Sequence, residues 1–424
     1  VPVHGVPPGP STADQMSVRR HNLALVLDHL GRQGDRSRAR IAAEIGLNKV
    51  TVSSLVAELA ARGLVVEGDV ARGAVGRPGR VVGVAGAAYV AVGVEVGPDD
   101  LSVLVLDLRG DTVAERRVPV DGRAAPAAVL RTAATLVRRV LRPLVAAGAR
   151  TVGLTLAVPG IIEPATGTVV DAPNLGWHDA PAVTLLRADL GDPAHPVTLE
   201  NEANLAALAE VDARGAEGAR DLLLITGGVG VGGGIVTEGR LLRGGRGVAG
   251  EVGHLHHDPS GRRCRCGRRG CWETVVGLNA FLRAAARADD PVRDASTDLA
   301  VRLAELRRRA EAGHPRTRRA IDQVGDALVT GCGTLVNVLD PEVLVLGGYF
   351  AELGPWFVDR LNADLPREVF APDAGGCRAE RSSLGLAAAV RGGALHALRR
   401  VYDDPTLAPF RSPSDPNHPE ESTP

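Results

Sequence analysis

From Ser17 to about Gly34 the apolar residues Leu23, Val26, Leu27 and Leu30 recur at three- and four-residue steps, which predicts a helix with one buried face. Gly31 and Gly34 close that run. Ser37 offers a cap for a second, shorter helix carrying Ile41, Ala42 and Ile45, which Gly46 ends. Asn48 caps a third, with Val52, Leu55, Val56 and Leu59 turned inward. Three short helices with a glycine turn between the second and third predict a helix-turn-helix. Leu64 to Glu67 then reads as a strand, Val81-Val82 as its return, and the basic Gly/Pro loop from Arg72 to Arg80 as a β-wing between them.

Beyond Gly86 strands are expected at Tyr89 to Val96, Leu101 to Leu108 and Thr112 to Val120, then a helix from Pro126 to Ala147 and a buried strand from Thr151 to Val158. Near Asp221 the order begins again, with strands at Leu222 to Thr226, Val231 to Thr237 and Arg240 to Leu242. Two stretches that each open with a meander and pass into alternating helices and strands predict a duplicated α/β fold with a cleft between the copies. Ala284 to Ala320 reads as helical and Arg-rich, a solvated amphipathic face. The expected divisions are a disordered tail over 1–16, a winged helix over 17–82, a first lobe over 86–198 plus 385–402, a second lobe over 199–384, and a disordered tail over 403–424.

At 424 residues, 45% hydrophobic and 23% charged, the chain is long enough for two or three compact domains. The formal net charge is −1, yet residues 17–80 hold eleven Lys or Arg against six Asp or Glu. A basic module of about +5 on a negative remainder points to a nucleic-acid partner for the N-terminal end. A recognition helix presents short polar side chains and cations at its N-terminal end, here Asn48, Lys49, Thr51, Ser53 and Ser54. Arg77 and Arg80 flank the wing tip, placed for the minor groove or its phosphates. The competing use of such a module is protein contact. With no long uncharged apolar run and no secretion-type leader, the chain reads as a cytoplasmic protein with no membrane partner.

Three of the five cysteines, Cys264, Cys266 and Cys271, fall within eight residues and follow His254. One imidazole and three thiols supply four tetrahedral ligands for zinc, and a filled coordination sphere makes that metal structural. Gly267 and Gly270 let the backbone turn tightly enough for the thiols to converge. Arg262, Arg263, Arg265, Arg268 and Arg269 are expected to offset the charge of the thiolates. A redox disulfide or inert thiols are the other readings.

The stretch Gly247-Val-Ala-Gly250-Glu251-Val-Gly253-His254, the cysteine cluster and Trp272-Glu273 together resemble the ROK family of repressors, open reading frames and sugar kinases, and the winged helix ending in Gly-Arg-Pro-Gly resembles its repressor branch. The resemblance runs from roughly Val18 to Arg400. It implies an α/β architecture, a winged helix-turn-helix followed by a duplicated two-lobe body of the actin-like, sugar-kinase (ribonuclease H-like) type. It also implies a DNA operator and a small sugar or sugar-phosphate effector as partners, with a homodimer or homotetramer as the assembly. By the same resemblance, sugar hydroxyls would be held by Asn201, Glu202, Glu251, His254 and Glu273, with Asn174 lining the pocket. Glu251 and His254, three residues apart, share a face on a helical turn, and one ring nitrogen of His254 would bind zinc while the other meets the sugar. Trp177 and Trp272 are expected to pack.

For phosphoryl transfer the resemblance is incomplete. Active relatives carry an Asp-x-Gly-Gly-Thr turn for ATP phosphates, where this chain has Glu95-Val-Gly97-Pro98-Asp99. Pro98 removes an N–H donor and Asp99 adds negative charge. The catalytic Asp position holds Glu202, one methylene longer. The chain is therefore expected not to be an enzyme, an ATP-dependent sugar kinase with base Glu202 being the alternative. The glycine run from Gly227 to Gly234 would serve either as a phosphate cradle or as a hairpin turn.

Overall fold

The computed structural model describes residues 15–68, 80–215, 218–371 and 376–410. It opens with α1 (Gln15–Gln33), α2 (Arg38–Ile45) and α3 (Lys49–Ala61). Caps set their limits: the Ser37 hydroxyl accepts from the Arg40 N–H, the Asn48 side-chain oxygen accepts from the Thr51 N–H at 2.8 Å, and Gly46 closes α2 at φ +74°. The apolar stripes close on one another, burying Leu23, Leu27, Ile41, Val52, Leu55 and Leu59. Strands β1 (Arg36–Ser37), β2 (Val65–Gly68) and β3 (Val81–Val84) form an antiparallel sheet in the order β1-β3-β2. The wing tip between β2 and β3, Arg77 included, lies outside the described residues.

The body follows. Strands β4 (Tyr89–Val96), β5 (Asp100–Asp107) and β6 (Thr112–Pro119) form a meander, and α4 (Pro126–Ala146) crosses to β7 (Arg150–Val158). A small sheet of β8 (Ile161–Glu163), β9 (Thr168–Ala172) and β10 (Trp177–Ala180), then α5 (Ala182–Leu190), lead to β11 (Val197–Asn201). Helix α6 (Glu202–Arg214) carries the chain to β12 (Leu222–Gly227), β13 (Val231–Thr237) and β14 (Arg240–Leu241). Next come α7 (Glu273–Val276), α8 (Leu278–Ala285), α9 (Leu299–Glu311) and α10 (Pro315–Leu339), then β15 (Val343–Gly348). After α11 (Tyr349–Glu352), α12 (Gly354–Glu368) and β16 (Arg378–Arg381), α13 (Ala388–Asp403) returns to the first lobe.

The two large sheets run β6-β5-β4-β7-β11 and β14-β13-β12-β15-β16, each with an antiparallel meander on one side and two parallel strands on the other. The same order with the same strand senses is the duplication. Each sheet builds its own core, around Val92, Leu154 and Leu130 in the first lobe and around Leu344, Phe281 and Leu328 in the second.

Several boundaries move. Pairing with β7 extends β11 to Asn201, past the division expected at 198. Ala284 to Ala320 is not one helix, because α8 stops at Ala285 and the Asp caps at Asp290 and Asp298, with Pro291 and Pro315, restart the backbone. Nor is its face wholly solvated: Arg302 is 6% exposed with its Nε donating to the Val292 carbonyl, and Arg309 clamps Asp290 at 2.6 Å. The tail expected to be disordered from Asp403 holds its place to Phe410. Arg62 donates to the Ala408 and Thr406 carbonyls at 2.6 and 3.3 Å, and its guanidinium lies 4.1 Å from the Phe410 ring centroid. A few apolar and backbone groups in an otherwise polar tail suffice when a buried arginine gathers them.

Candidate functional site

The four ligand atoms of His254, Cys264, Cys266 and Cys271 all lie within 4.8 Å of one another. Cys264 Sγ is 3.7 Å from His254 Nδ1, and Cys266 Sγ is 3.5 Å from Cys271 Sγ. Tetrahedral zinc with its usual bond lengths places sulfur pairs about 3.7 Å apart and sulfur–nitrogen pairs about 3.5 Å apart, so the cluster fits that ion. The loop is knotted by its own backbone: Cys264 N–H donates to Arg268 O at 2.8 Å and Gly270 N–H to Arg262 O at 2.9 Å. Gly270, at φ +69°, has no room for a Cβ against the Asp258 backbone. Burial pushes the Cys266 thiol up, but the backbone N–H and side chain of Arg268 outweigh it and bring it down to about 7. Of the five arginines expected to offset the thiolates, Arg268 stands against Cys266, whereas Arg265 reaches across the cleft and donates to Asn174 Oδ1 at 3.2 Å.

On the His254 ring Nδ1 faces Cys264, and Nε2 lies 3.9 Å from Glu251 Oε2. Glu273 opens α7, one of its oxygens 3.7 Å from Cys264 Sγ and the other accepting from the Val231 N–H at 3.2 Å. Asn174 joins it from the first lobe, since a Cβ at Gly230 would touch Glu273 Oε2 at 2.7 Å and Asn174 Nδ2 at 2.8 Å. Burial holds the Glu251 carboxyl above its ordinary range; His254 lowers it and Glu273 adds to the rise. Glu202, first residue of α6, is half-buried, but its Oε2 is cut off from solvent and has no hydrogen-bond partner. Burial, with repulsion from Glu251, lifts its carboxyl to about 7. Asn201 sits differently. Its oxygen caps α6 by accepting from Ala203 and Asn204 N–H, and its amide donates to Gly160 O at 3.0 Å. Its side chain thus ties α6 to the first lobe. Sequence reasoning passed over Arg243, which forks onto buried Glu200 at 2.8 and 3.1 Å and braces the strand end that carries Asn201 and Glu202. Trp177 and Trp272 are buried, each indole N–H donating to a backbone carbonyl.

At the other end of the molecule the first turn of α3 is open. Asn48, Lys49 and Ser54 are exposed and Thr51 and Ser53 half-buried, with Ser54 accepting from Arg19 at 3.4 Å. Val50, missed in the sequence, is 81% exposed on the same turn. Its signal was a valine off the apolar stripe. Arg80 is 77% exposed, 4.0 Å from Glu67.

The ROK family profile matches residues 91–400, and a MarR family profile matches residues 24–74. The chain belongs to the ROK family. It is 28% identical over 386 residues to a putative xylose repressor of Caldicellulosiruptor sp. (strain Rt8B.4), covering 88% of this chain and 94% of that protein. It is 30% identical over 309 residues to a glucokinase of Halalkalibacterium halodurans, covering 71% and 93%. A solved ROK family transcriptional regulator, a homolog of the E. coli MLC protein, superposes with a TM-score of 0.72 over 91% of this chain and 97% of its own, at 21% identity that speaks to the fold alone. A ROK family glucokinase from Streptomyces griseus, solved with glucose and AMPPNP, gives a TM-score of 0.60 at 25% identity, over 73% and 99%.

Two glycine turns of this ROK body bear on phosphoryl transfer. In the first, Gly97 N–H is spent on Asp100 O at 2.8 Å, and the Pro98 and Asp99 carbonyls are taken by Gly122 and Val120 N–H. Burial, with Asp100 and Glu202 nearby, lifts the Glu95 carboxyl to about 8. The second is a hairpin turn, with Gly227 paired to Val231 and Gly228 N–H donating to Gly230 O at 2.8 Å. No described helix is long and apolar enough to cross a membrane.

Proposed function

We propose that this ROK protein is a sugar-responsive transcriptional repressor, whose winged helix binds a double-stranded operator and whose interlobe cleft takes a small sugar through Asn174, Glu202, Glu251, His254 and Glu273. One observation carries this reading: the winged helix shares a hydrophobic core with the body. Leu27 and Val56 belong to one cluster with Tyr89, Leu108, Leu398 and Val401, and α13, which supplies the last two, packs along α6, whose first residue is Glu202. A sensor and a reader joined by two packed helices suit a switch. The carboxylates, an amide and an imidazole suit a polyol, each accepting from or donating to hydroxyls in a fixed pattern. Zinc on His254, Cys264, Cys266 and Cys271 is structural in this reading and fixes the imidazole's tautomer and direction. The names of the repressor relatives support DNA as partner, and a homodimer sets the spacing of two recognition helices.

Kinase activity is the second reading, favoured by the glucokinase relatives and by Glu202, whose carboxyl at about 7 is tuned for a general base. The spent Gly97 N–H and the missing Pro98 donor weigh against it. Binding to the protein's own promoter region that falls steeply with salt, together with no sugar-dependent ATP turnover in a coupled assay, supports the repressor. Sugar-dependent turnover without salt-dependent promoter binding would replace it with the kinase.

A further inference from the structure

An open cavity of about 250 Å³ lies beside the zinc-ligand loop, between Asn174 of the first lobe and the helices that follow the cysteines. Its lining is basic. Arg262, Arg263 and Arg265 come from the loop and Arg283 from α8, while Glu273 is its one acidic residue. Some arginines of this chain are matched with acids, as Arg308 and Arg309 are with Glu305 and Arg243 is with Glu200, and others stand singly on the surface; what sets this group apart is that four of them line one cavity. The four in the cavity form no ion pair among the described residues, and Arg265 gives an N–H to a neutral amide, Asn174. Burial, followed by repulsion from Arg262 and Arg293, holds the Arg283 guanidinium below its ordinary range. Three thiolates on a zinc ion leave that centre with a net charge of about −1. Set against that centre and one carboxylate, the four guanidinium groups that line the cavity leave a surplus of about +2. Arg268, which does face the thiolates, lies outside the cavity lining.

We propose that this cavity takes an anionic group, phosphate or carboxylate, carried by the sugar effector, so that the effector class is an anionic saccharide and not a neutral sugar. The proposal rests on reading the adjoining Glu202, Glu251 and Glu273 cluster as the sugar site. Guanidinium forks match both groups bidentately. The volume is below the roughly 300–1,000 Å³ of pockets for whole drug-sized ligands, which suits a substituent lodged beside a ring held in the cleft. Glu273 belongs to both spaces, accepting from the Val231 N–H and lying close to Cys264 on one side and lining the arginine cavity on the other. An anion that draws Arg265 to itself also competes with the contact from Arg265 to Asn174 that bridges the lobes.

The test uses the full-length, zinc-loaded protein. Inorganic phosphate is titrated against chloride at matched ionic strength, then glucose, glucuronate, glucose 1-phosphate and glucose 6-phosphate are compared by calorimetry. Phosphate should bind and stabilise the protein, and at least one charged sugar should bind roughly tenfold or more tightly than glucose, which separates a phosphate from a carboxylate source. The Arg263→Gln/Arg283→Gln double variant, which spares every zinc ligand, should lose that preference, whereas Arg116→Gln on the far edge of the first sheet should keep it. Arg-dependent phosphate binding with no sugar bound at all sinks the sugar-site reading and leaves the anion cavity standing. No effect of phosphate beyond chloride, or glucose binding as tightly as all three charged sugars, overturns the anionic-saccharide proposal.

Discussion

Replacing Glu202 by Gln tests whether the cleft stores a proton when empty. In the folded chain Glu202 Oε2 has neither solvent nor a hydrogen-bond partner, and burial with repulsion from Glu251 lifts the carboxyl from 4.5 to about 7. The unfolded chain releases that proton near 4.5 and the folded chain keeps it. Stability from this group is therefore fully present below 4.5 and is lost as pH rises through about 7. At about 1.4 kcal/mol per unit of separation, the loss comes to roughly 3 kcal/mol. Spread over a chain of this length, with about 2 cal/mol/K of unfolding entropy per residue, that is roughly 3–4 °C in Tm. Glu95, lifted to about 8, adds a similar slope that extends further toward alkaline pH. Melting of the sugar-free protein should therefore fall between about pH 5 and pH 8, and Glu202→Gln, neutral throughout and similar in shape, should fall less by roughly that amount. Equal slopes for the two proteins would refute the reasoning, because the empty cleft would then hold an ionised Glu202.

Other expectations follow from the same geometry. Glu251→Gln should keep its zinc by elemental analysis and lose roughly five- to hundred-fold in sugar affinity by calorimetry, since a charged acceptor is worth about 1–3 kcal/mol; His254→Ala should lose both. Cys266→Ser should drop zinc content from about one per chain to near none and abolish the sugar response, while normal metal content would remove Cys266 from the centre. Lys49→Ala, Arg77→Ala and Val50→Asp should each weaken operator binding in gel shifts while sugar-induced thermal stabilisation stays at its wild-type size. Arg62→Ala, which frees the Ala408 and Thr406 carbonyls and the Phe410 ring, should expose the C-terminal segment to limited proteolysis and cost about 2–4 kcal/mol; unchanged cleavage would mean the segment is held by something else.

What the sequence disclosed and what it hid divide along a physical line. Helix caps at Ser37 and Asn48 and the alternation of Tyr89 to Val96 act within a few residues, so they can be read from neighbours alone. The convergence of Cys264, Cys266 and Cys271 was legible for the same reason, the loop being short and its glycines placed at positive φ. Arg265 reaching Asn174, Arg243 bracing Glu200 and Arg62 gathering residues 406–410 all join segments far apart in the chain, and no local pattern announces them. Two-residue β1 was missed because two residues carry no period. The protonation of Glu202 belongs to the same class, since only the fold decides how much water a carboxyl keeps.

The route from cleft to DNA end is constrained by glycines. A Cβ at Gly392 of α13 would collide with the Leu205 backbone of α6, and one at Gly93 of β4 with the Val390 backbone of α13. A Cβ at Gly234 of β13 would in turn meet the Ala203 backbone of α6 at 2.5 Å, so α6 is packed without slack against the second sheet on one side and against α13 on the other. At its far end α13 buries Leu398 and Val401 in the winged-helix core, and Tyr402 packs so close to Gly31 of α1 that an added Cβ would lie 2.7 Å from its ring. Glu202 opens α6, the helix between the two sheets, and Glu251, His254 and Glu273 stand on the second-lobe segments that face it. In the proposed repressor a sugar at these carboxylates therefore acts on a helix wedged between the second sheet and α13, and any shift of α6 passes through α13 to the winged-helix core, where it would set the spacing of two recognition helices in a dimer.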